Sequence, residues 1–145
     1  MIEKQIENTF KEVFYKMIDE TVSSDKPDYD WIVKLYTEIR DRLVSYLKKD
    51  SKTYNQVMED FDIPLFEQMI KNDVFDSISM MKLVNNTFDW IMRLQAPVRD
   101  EYAKEAKNRV LNSPPEKMVS IFIKEVNLCI DFIDEDMQSF KKTLF

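Results

Sequence analysis

The sequence predicts an all-α protein, a single-domain helical bundle of about seven helices around a central helix at about residues 77–94. First, the 145 residues include no glycine, and tight β-hairpins and phosphate-binding loops both depend on glycine. Second, apolar residues recur at helical spacing between Asp, Asn, Ser and Pro residues that mark helix ends. Third, residues 77–94 are apolar over about two-thirds of the helical circumference, which is wider than a surface helix needs. We therefore expect neighbouring helices to enclose this stretch.

Composition limits the classes of protein to consider. With 44% hydrophobic and 33% charged residues, the chain has the profile of one folded domain, which we assign to residues 1–145. The net charge of −6 argues against nucleic acid or an anionic membrane as the main partner. The single cysteine, Cys129, cannot form an internal disulfide, which suits the cytoplasm. No segment is long and apolar enough to predict a membrane span.

The first two helices follow from apolar periodicity. Residues 2–22 predict an amphipathic N-terminal helix, and residues 1–25 form that helix with its linker. We expect its apolar face to pack on the bundle; the alternative is a docking element. Residues 23–28 predict a linker that caps a second helix, which runs to about Lys49 and is broken at Asp50. The apolar face of the first helix consists of Ile2, Ile6, Phe10, Val13, Phe14, Met17 and Ile18.

Short helices precede the central one. One is predicted over residues 52–60, and another is expected to start from a cap at Asp62 and end at residues 72–73. Asp76 should cap the central helix, and Phe75 and Met80 have the spacing of a hydrophobic staple. Proline disfavours helical conformation in the residue before it, so Pro97 should end this helix at residues 95–96.

Two further helices complete the bundle. Pro97 suits the first position of a new helix, and residues 98–111 have the polar, exposed pattern of one. Ser113 and Glu116 have capping-box spacing, with Pro114 at the first helical position. The last helix should run to about Lys141.

Catalytic chemistry is not predicted. Without histidine, the chain lacks the commonest general base and metal ligand. Cys129 falls in the apolar stripe of the last helix, which predicts core packing and not a nucleophile. Acidic pairs such as Asp73 and Asp76 lack the spacing of a calcium loop, so helix caps and solvated faces explain them. We expect no enzyme activity, no metal and no cofactor.

Two places could bind a protein partner. At the corner after the central helix, Pro97, Arg99, Asp100 and Glu101 form either a structural clamp between helices or a recognition surface. Met80, Met81 and Trp90 could line an adaptable groove, or could fill the core. As a clamp, Arg99 would bond a carboxylate; the candidates are Asp62, Asp131 and Asp100.

The same corner resembles a known protein family. Residues 94–101, Leu-Gln-Ala-Pro-Val-Arg-Asp-Glu, are similar to the Leu-Cys-Ala-Pro-Val-Arg-Asp-Glu segment of the T-complex protein eleven family, with Gln95 in place of cysteine. Weaker matches follow the family's order over residues 30–140. They are the leucine-rich helix at 31–47, the Asp-x-x-Leu-x-x-Gln pattern of Asp62, Leu65 and Gln68, and Asp131 within residues 128–132.

The resemblance implies an all-helical, non-enzymatic protein. It also implies an association with cyclic-AMP and protein-kinase-A signalling. Our leading hypothesis is therefore a cytoplasmic helical adaptor or regulator that binds a protein partner of unknown identity. The alternative is a viral-type helix-in-groove module that sequesters a host signalling partner. Neither the partner nor the oligomeric state follows from the sequence.

Overall fold

The computed structural model describes residues 2–25 and 27–144, with side chains up to residue 142; Lys26, in the predicted linker, lies outside them. Within these residues the fold is all-α, which confirms the predicted class. Seven α-helices and one 3₁₀ turn are formed, and no strand is present in the described part of the chain. The elements are α1 Ile2–Ser23, α2 Tyr29–Val44, α3 Lys52–Asp60, α4 Ile63–Lys71, α5 Ser77–Leu94, the 3₁₀ turn Pro97–Arg99, α6 Asp100–Leu111 and α7 Pro115–Leu144.

Side-chain caps set where four of these helices begin. The carboxylates of Asp28, Asp62 and Asp76 accept hydrogen bonds from the amides of the residues three positions on, at 2.8–3.1 Å, and Ser51 does the same at 3.2 Å. Each bond satisfies a backbone donor that has no partner within the helix. The predicted caps at Asp62 and Asp76 are thus confirmed, and α5 has the predicted bounds.

Helix α2 is shorter than predicted. It ends at Val44 and not near Lys49, because the Ser45 hydroxyl donates to the Arg42 carbonyl at 2.6 Å and helps to close the last turn. Tyr46 and Leu47 lie beyond the helix yet still pack against the core. Their apolar side chains extended the periodic pattern past the helix end, which explains the wrong boundary.

The junction before α7 also differs from the prediction. Ser113 does not cap α7: its hydroxyl donates to the Val110 carbonyl at 2.5 Å and so closes the end of α6. Pro115, and not Pro114, is the first residue of α7. The Ser-Pro-Pro-Glu order therefore marks the end of one helix as much as the start of the next.

The core lies between α5 and its neighbours. From Val84 onward the apolar face of α5 is enclosed, and Val84, Phe88 and Ile91 are fully buried against α6 and α7. The first turns are more open, with Ile78 and Met81 exposed. The helix with the most neighbours is α7, which packs against α1, α2, α5 and α6.

Helix α1 packs on the bundle through only the Phe14 and Ile18 side of the predicted apolar face. Ile18 is buried, and Phe14 packs edge-on to Trp31 of α2 with ring centroids 5.6 Å apart. The Ser120 hydroxyl of α7 donates to the Asp19 carboxylate of α1. The longer apolar row is left in solvent. Residues 2–13 are exposed on all sides of the helix, and Met17 lies about 100° around the helix from the buried Ile18. That exposed row comprises Ile2, Ile6, Phe10, Val13 and Met17, hereafter the α1 stripe.

Candidate functional site

The corner between α5 and α6 is closed by its own polar side chains. The Gln95 amide N–H donates to the Asp100 carboxylate at 2.9 Å, and the Arg99 backbone amide donates to the Ala96 carbonyl at 2.9 Å. Pro97 begins the 3₁₀ turn, where its missing amide hydrogen costs no hydrogen bond. The corner thus links two helices with a fixed backbone path.

Arg99 projects from this turn to the C-terminal third of α7. Its Nε donates to Asp136 Oδ2 at 3.1 Å and its Nη2 to Oδ1 at 2.8 Å, a bidentate pair. The guanidinium carbon also lies 4.5 Å from the ring centroid of Phe132. Hydrogen bonding to Arg99 holds the pKa of Asp136 below its usual value. Both side chains are about 30% exposed, which places the pair at the edge of the core.

The predicted partners of Arg99 were wrong, because each of those carboxylates is used elsewhere. Asp62 caps α4, Asp100 accepts from Gln95, and Asp131 accepts from Arg42 of α2. Glu101 is exposed on the first turn of α6. The carboxylate that Arg99 contacts is Asp136, which belongs to the acidic run at residues 131–136 of α7.

A second arginine binds the same acidic run. Arg42 donates to Asn127 at 2.8 Å, to Asp131 at 2.8 Å and to Asp134 at 3.0 Å. The Tyr46 hydroxyl donates to Asp134 as well, and burial together with this bond raises the pKa of Tyr46. The acidic side of α7 is therefore paired by α2 near its middle and by the α5–α6 corner near its end.

The predicted methionine groove is not formed by its three residues. Met80 is half-buried and lines a cavity beside α2 and α4, whereas Met81 is 50% exposed. Trp90 is buried, and its indole N–H donates to the Asp60 carboxylate at 2.6 Å. Met81 and Trp90 are nine residues apart, which places them on opposite sides of the helix. The helix-in-groove alternative therefore has no groove at these positions.

A row of exposed apolar side chains lies instead on α1. Each member of the α1 stripe is more than half exposed, from 51% at Ile6 to 73% at Ile2. On monomeric proteins the largest contiguous apolar patch is often an interaction surface. The signal in the sequence was the spacing 2, 6, 10, 13, 17, which was correctly identified as one face but was assigned to the core.

Metal ligands and the single thiol are the groups of the described residues to consider for catalysis. No group of three or more His, Cys, Asp or Glu side chains there could hold a metal ion. Cys129 is buried as predicted, and burial raises the pKa of its thiol to about 12, so the nucleophilic thiolate is scarce at neutral pH. In the same part of the chain, no helix is both long and apolar enough to cross a bilayer.

Comparison with known proteins agrees with the family resemblance seen in the sequence. A family model described as T-complex protein 11 matches residues 2–141, which extends the resemblance at 30–140 to include α1. The mouse T-complex protein 11 is 23% identical over 141 residues, covering 97% of this chain and 24% of that protein. Human and rat T-complex protein 11 homologs are 24% and 26% identical, over 99% and 96% of this chain. The chain spans about a quarter of the length of these relatives. No solved structure matches it.

Proposed function

We propose a protein-binding role for this chain, which belongs to the T-complex protein 11 family. In this proposal it is a non-enzymatic, cytoplasmic helical adaptor or regulator, and the α1 stripe is its docking surface. The observation that carries the proposal is the exposure of five apolar side chains in one row on one helix. The Pro97 corner is the weaker candidate, because Arg99, Asp100 and Gln95 are already paired within the chain.

The partner we propose is a basic amphipathic helix. The stripe has successive spacings of four, four, three and four residues, which keep it on one face of the helix and suit the apolar face of a second helix. Helix α1 is acidic, with five carboxylates against three lysines, and the whole chain carries a charge of −6. Like charge opposes pairing with a second copy, whereas a lysine-rich helix is electrostatically complementary. The carboxylates are Glu3, Glu7, Glu12, Asp19 and Glu20, and the lysines are Lys4, Lys11 and Lys16.

The size of the stripe predicts a weak interaction. Five partly exposed side chains make a patch of a few hundred Å², below the roughly 800 Å² per partner of a standard interface. We therefore expect a dissociation constant of about micromolar order, typical of a transient complex.

A binding assay with two valine variants tests the proposal. The probe is a three-heptad synthetic helix with leucine at the a and d positions and lysine-rich flanks, labelled for fluorescence anisotropy. Val13→Glu in the stripe should weaken binding about tenfold or more, because it buries a charge in an apolar contact. Val98→Glu, at a residue 84% exposed on the Pro97 corner, makes the same chemical change and should leave binding intact.

The opposite pattern would contradict the stripe as the docking surface. Loss of binding with Val98→Glu alone would assign recognition to the corner, and equal binding of a peptide with scrambled leucines would show that only charge is recognised. Concentration-dependent dimerisation of the chain that Val13→Glu abolishes would identify a second copy as the occupant and would exclude the basic helix.

The signalling pathway is a separate part of the proposal. The family resemblance implies cyclic-AMP and protein-kinase-A signalling, so we propose that the basic helix belongs to a component of that pathway. Purified protein-kinase-A subunits should then bind the wild-type chain and bind the Val13→Glu variant more weakly. Absence of binding, or binding that the variant does not change, would remove the pathway from the account.

A further inference from the structure

A cavity of about 270 Å³ lies where α2, α4, α5 and α7 meet the end of α1. Its walls are apolar, and they include Ile32, Phe66, Leu83 and Phe122. An apolar cavity of about 150 Å³ in a protein can hold benzene. A volume of about 270 Å³ therefore suits a ligand whose apolar part has one or two rings. The larger hollow of about 540 Å³ between α1 and α7 is different, because Lys11, Glu12 and Lys124 contribute to its walls.

The rim of the 270 Å³ cavity carries one carboxylate. Asp73 lies there with a positive φ of 55°, and its backbone amide donates to the Ile70 carbonyl at 3.2 Å, which ties the residue to the end of α4. The Tyr29 hydroxyl donates to its carboxylate at 3.3 Å. Asp73 is an exposed residue, so a ligand can reach it from solvent.

The charge of the rim selects the ligand class. Asp73 is the one charged residue among the described residues that line the cavity; no lysine or arginine is among them. Among these described residues a carboxylate ligand would find no counter-charge, and it would lie next to an acidic group. An amine would place its ammonium beside Asp73 and its apolar body against the walls.

We propose that this cavity is a binding site for a small aromatic or aliphatic amine, with Asp73 as the counter-ion for its ammonium group. The site is separate from the α1 stripe, and its occupancy does not depend on the proposed partner. The ligand combines an apolar body of one to two rings with a single cationic end.

Three naphthyl compounds of matched shape test the ligand class. Naphthylmethylamine, naphthylmethanol and naphthylacetate differ mainly in the charge of the polar end, and calorimetric titration of the full chain measures the affinity of each. The amine should bind most tightly and the acetate most weakly. Tighter binding of the acetate than of the amine, or no binding of the amine up to its solubility limit, would overturn the proposal.

Matched variants test the two parts of the site. Asp73→Asn keeps a residue that tolerates positive φ and should lower amine affinity by up to about fivefold, as expected for an exposed ion pair. Asp50→Asn is the control, since Asp50 is also an exposed aspartate with positive φ (65°) and does not line the cavity. An equal effect of both variants would show non-specific attraction and refute the site.

Two tryptophan substitutions test the apolar wall. Met80→Trp should block the cavity and abolish binding of the amine, while Met81→Trp, at the exposed neighbouring residue, should not. Circular dichroism checks that both variants are folded. Unchanged binding to a folded Met80→Trp variant would place the amine elsewhere and contradict the proposal.

Discussion

Two hydrogen bonds join Arg99 of the α5–α6 corner to Asp136 of α7, at 3.1 and 2.8 Å, across 37 residues of sequence. This pair attaches the 3₁₀ turn that follows α5 to helix α7, which has more neighbouring helices than any other described helix. A planar guanidinium can bond both oxygens of one carboxylate, which fixes direction as well as distance. We propose that the pair acts as a structural clamp between helices.

A double-mutant cycle tests the clamp. Arg99→Ala and Asp136→Ala should each lower the melting temperature measurably, and the double variant should lower it by little more than the larger single effect, because both changes remove one interaction. Arg99→Lys keeps the positive charge but cannot form the bidentate pair of a guanidinium. Its melting temperature should therefore lie between those of the wild type and Arg99→Ala. Lys104→Ala, at an exposed residue of α6, is the control. Strictly additive effects would show that the two residues are not coupled.

The clamp also predicts a dependence on acid. Arg99 lowers the pKa of Asp136 below its usual 3.8, so the folded state holds the carboxylate ionised more strongly than the unfolded state does. The resulting stabilisation is present above about pH 4 and is lost as the pH falls through the lower, folded-state pKa. Chemical denaturation measures the free energy of unfolding of the wild type and of Asp136→Asn. The difference between these two free energies should become smaller as the pH falls below 3.8. A constant difference over that range would exclude the linkage.

Burial in α5 predicts a large difference between two phenylalanines. Phe88 is fully buried, so Phe88→Ala should lower the free energy of unfolding by about 3–5 kcal/mol. Phe10 is 72% exposed in the α1 stripe, so Phe10→Ala should change the free energy of unfolding by less than about 0.5 kcal/mol. Urea denaturation measures both. A large loss for Phe10→Ala would mean that the stripe is covered in the isolated chain.

The thiol of Cys129 reports on the opening of the core. Burial raises its pKa from 9.0 to about 12, so thiolate is about a thousandfold scarcer than for an exposed cysteine. Labelling with a disulfide reagent at pH 8 should be correspondingly slow, and should accelerate in step with unfolding as guanidinium chloride is added. Fast labelling of the native protein would contradict the burial of Cys129 between α7 and its neighbours.

Local features of the sequence predicted most of the fold. The bounds of α5 follow from Asp76 at one end and Pro97 at the other, since a cap and a proline act on the adjacent backbone. The error at the end of α2 has a local cause too: Tyr46 and Leu47 continue the apolar rhythm after the helix has ended. The periodic pattern shows which side chains are apolar. It does not show whether the backbone at those residues is helical.

Long-range pairing was not predictable in the same way. The partner of Arg99 depends on where α7 passes the corner, and several carboxylates were chemically equivalent candidates. The α1 stripe was found as a pattern but was placed in the core, because Ile18 and Phe14 form a second apolar sector that packs on the bundle. Which of two apolar faces is buried is decided by the shape of the rest of the molecule.

The central claim is that the α1 stripe is the surface that binds a basic helix. Methyl NMR of the chain during titration with the lysine-rich three-heptad peptide tests it most directly. The account predicts saturable shifts of the methyl signals of Ile6, Val13 and Met17, with those of Val98 and Ile78 unchanged. Shifts at Val98 or Ile78 without any on α1 would contradict it.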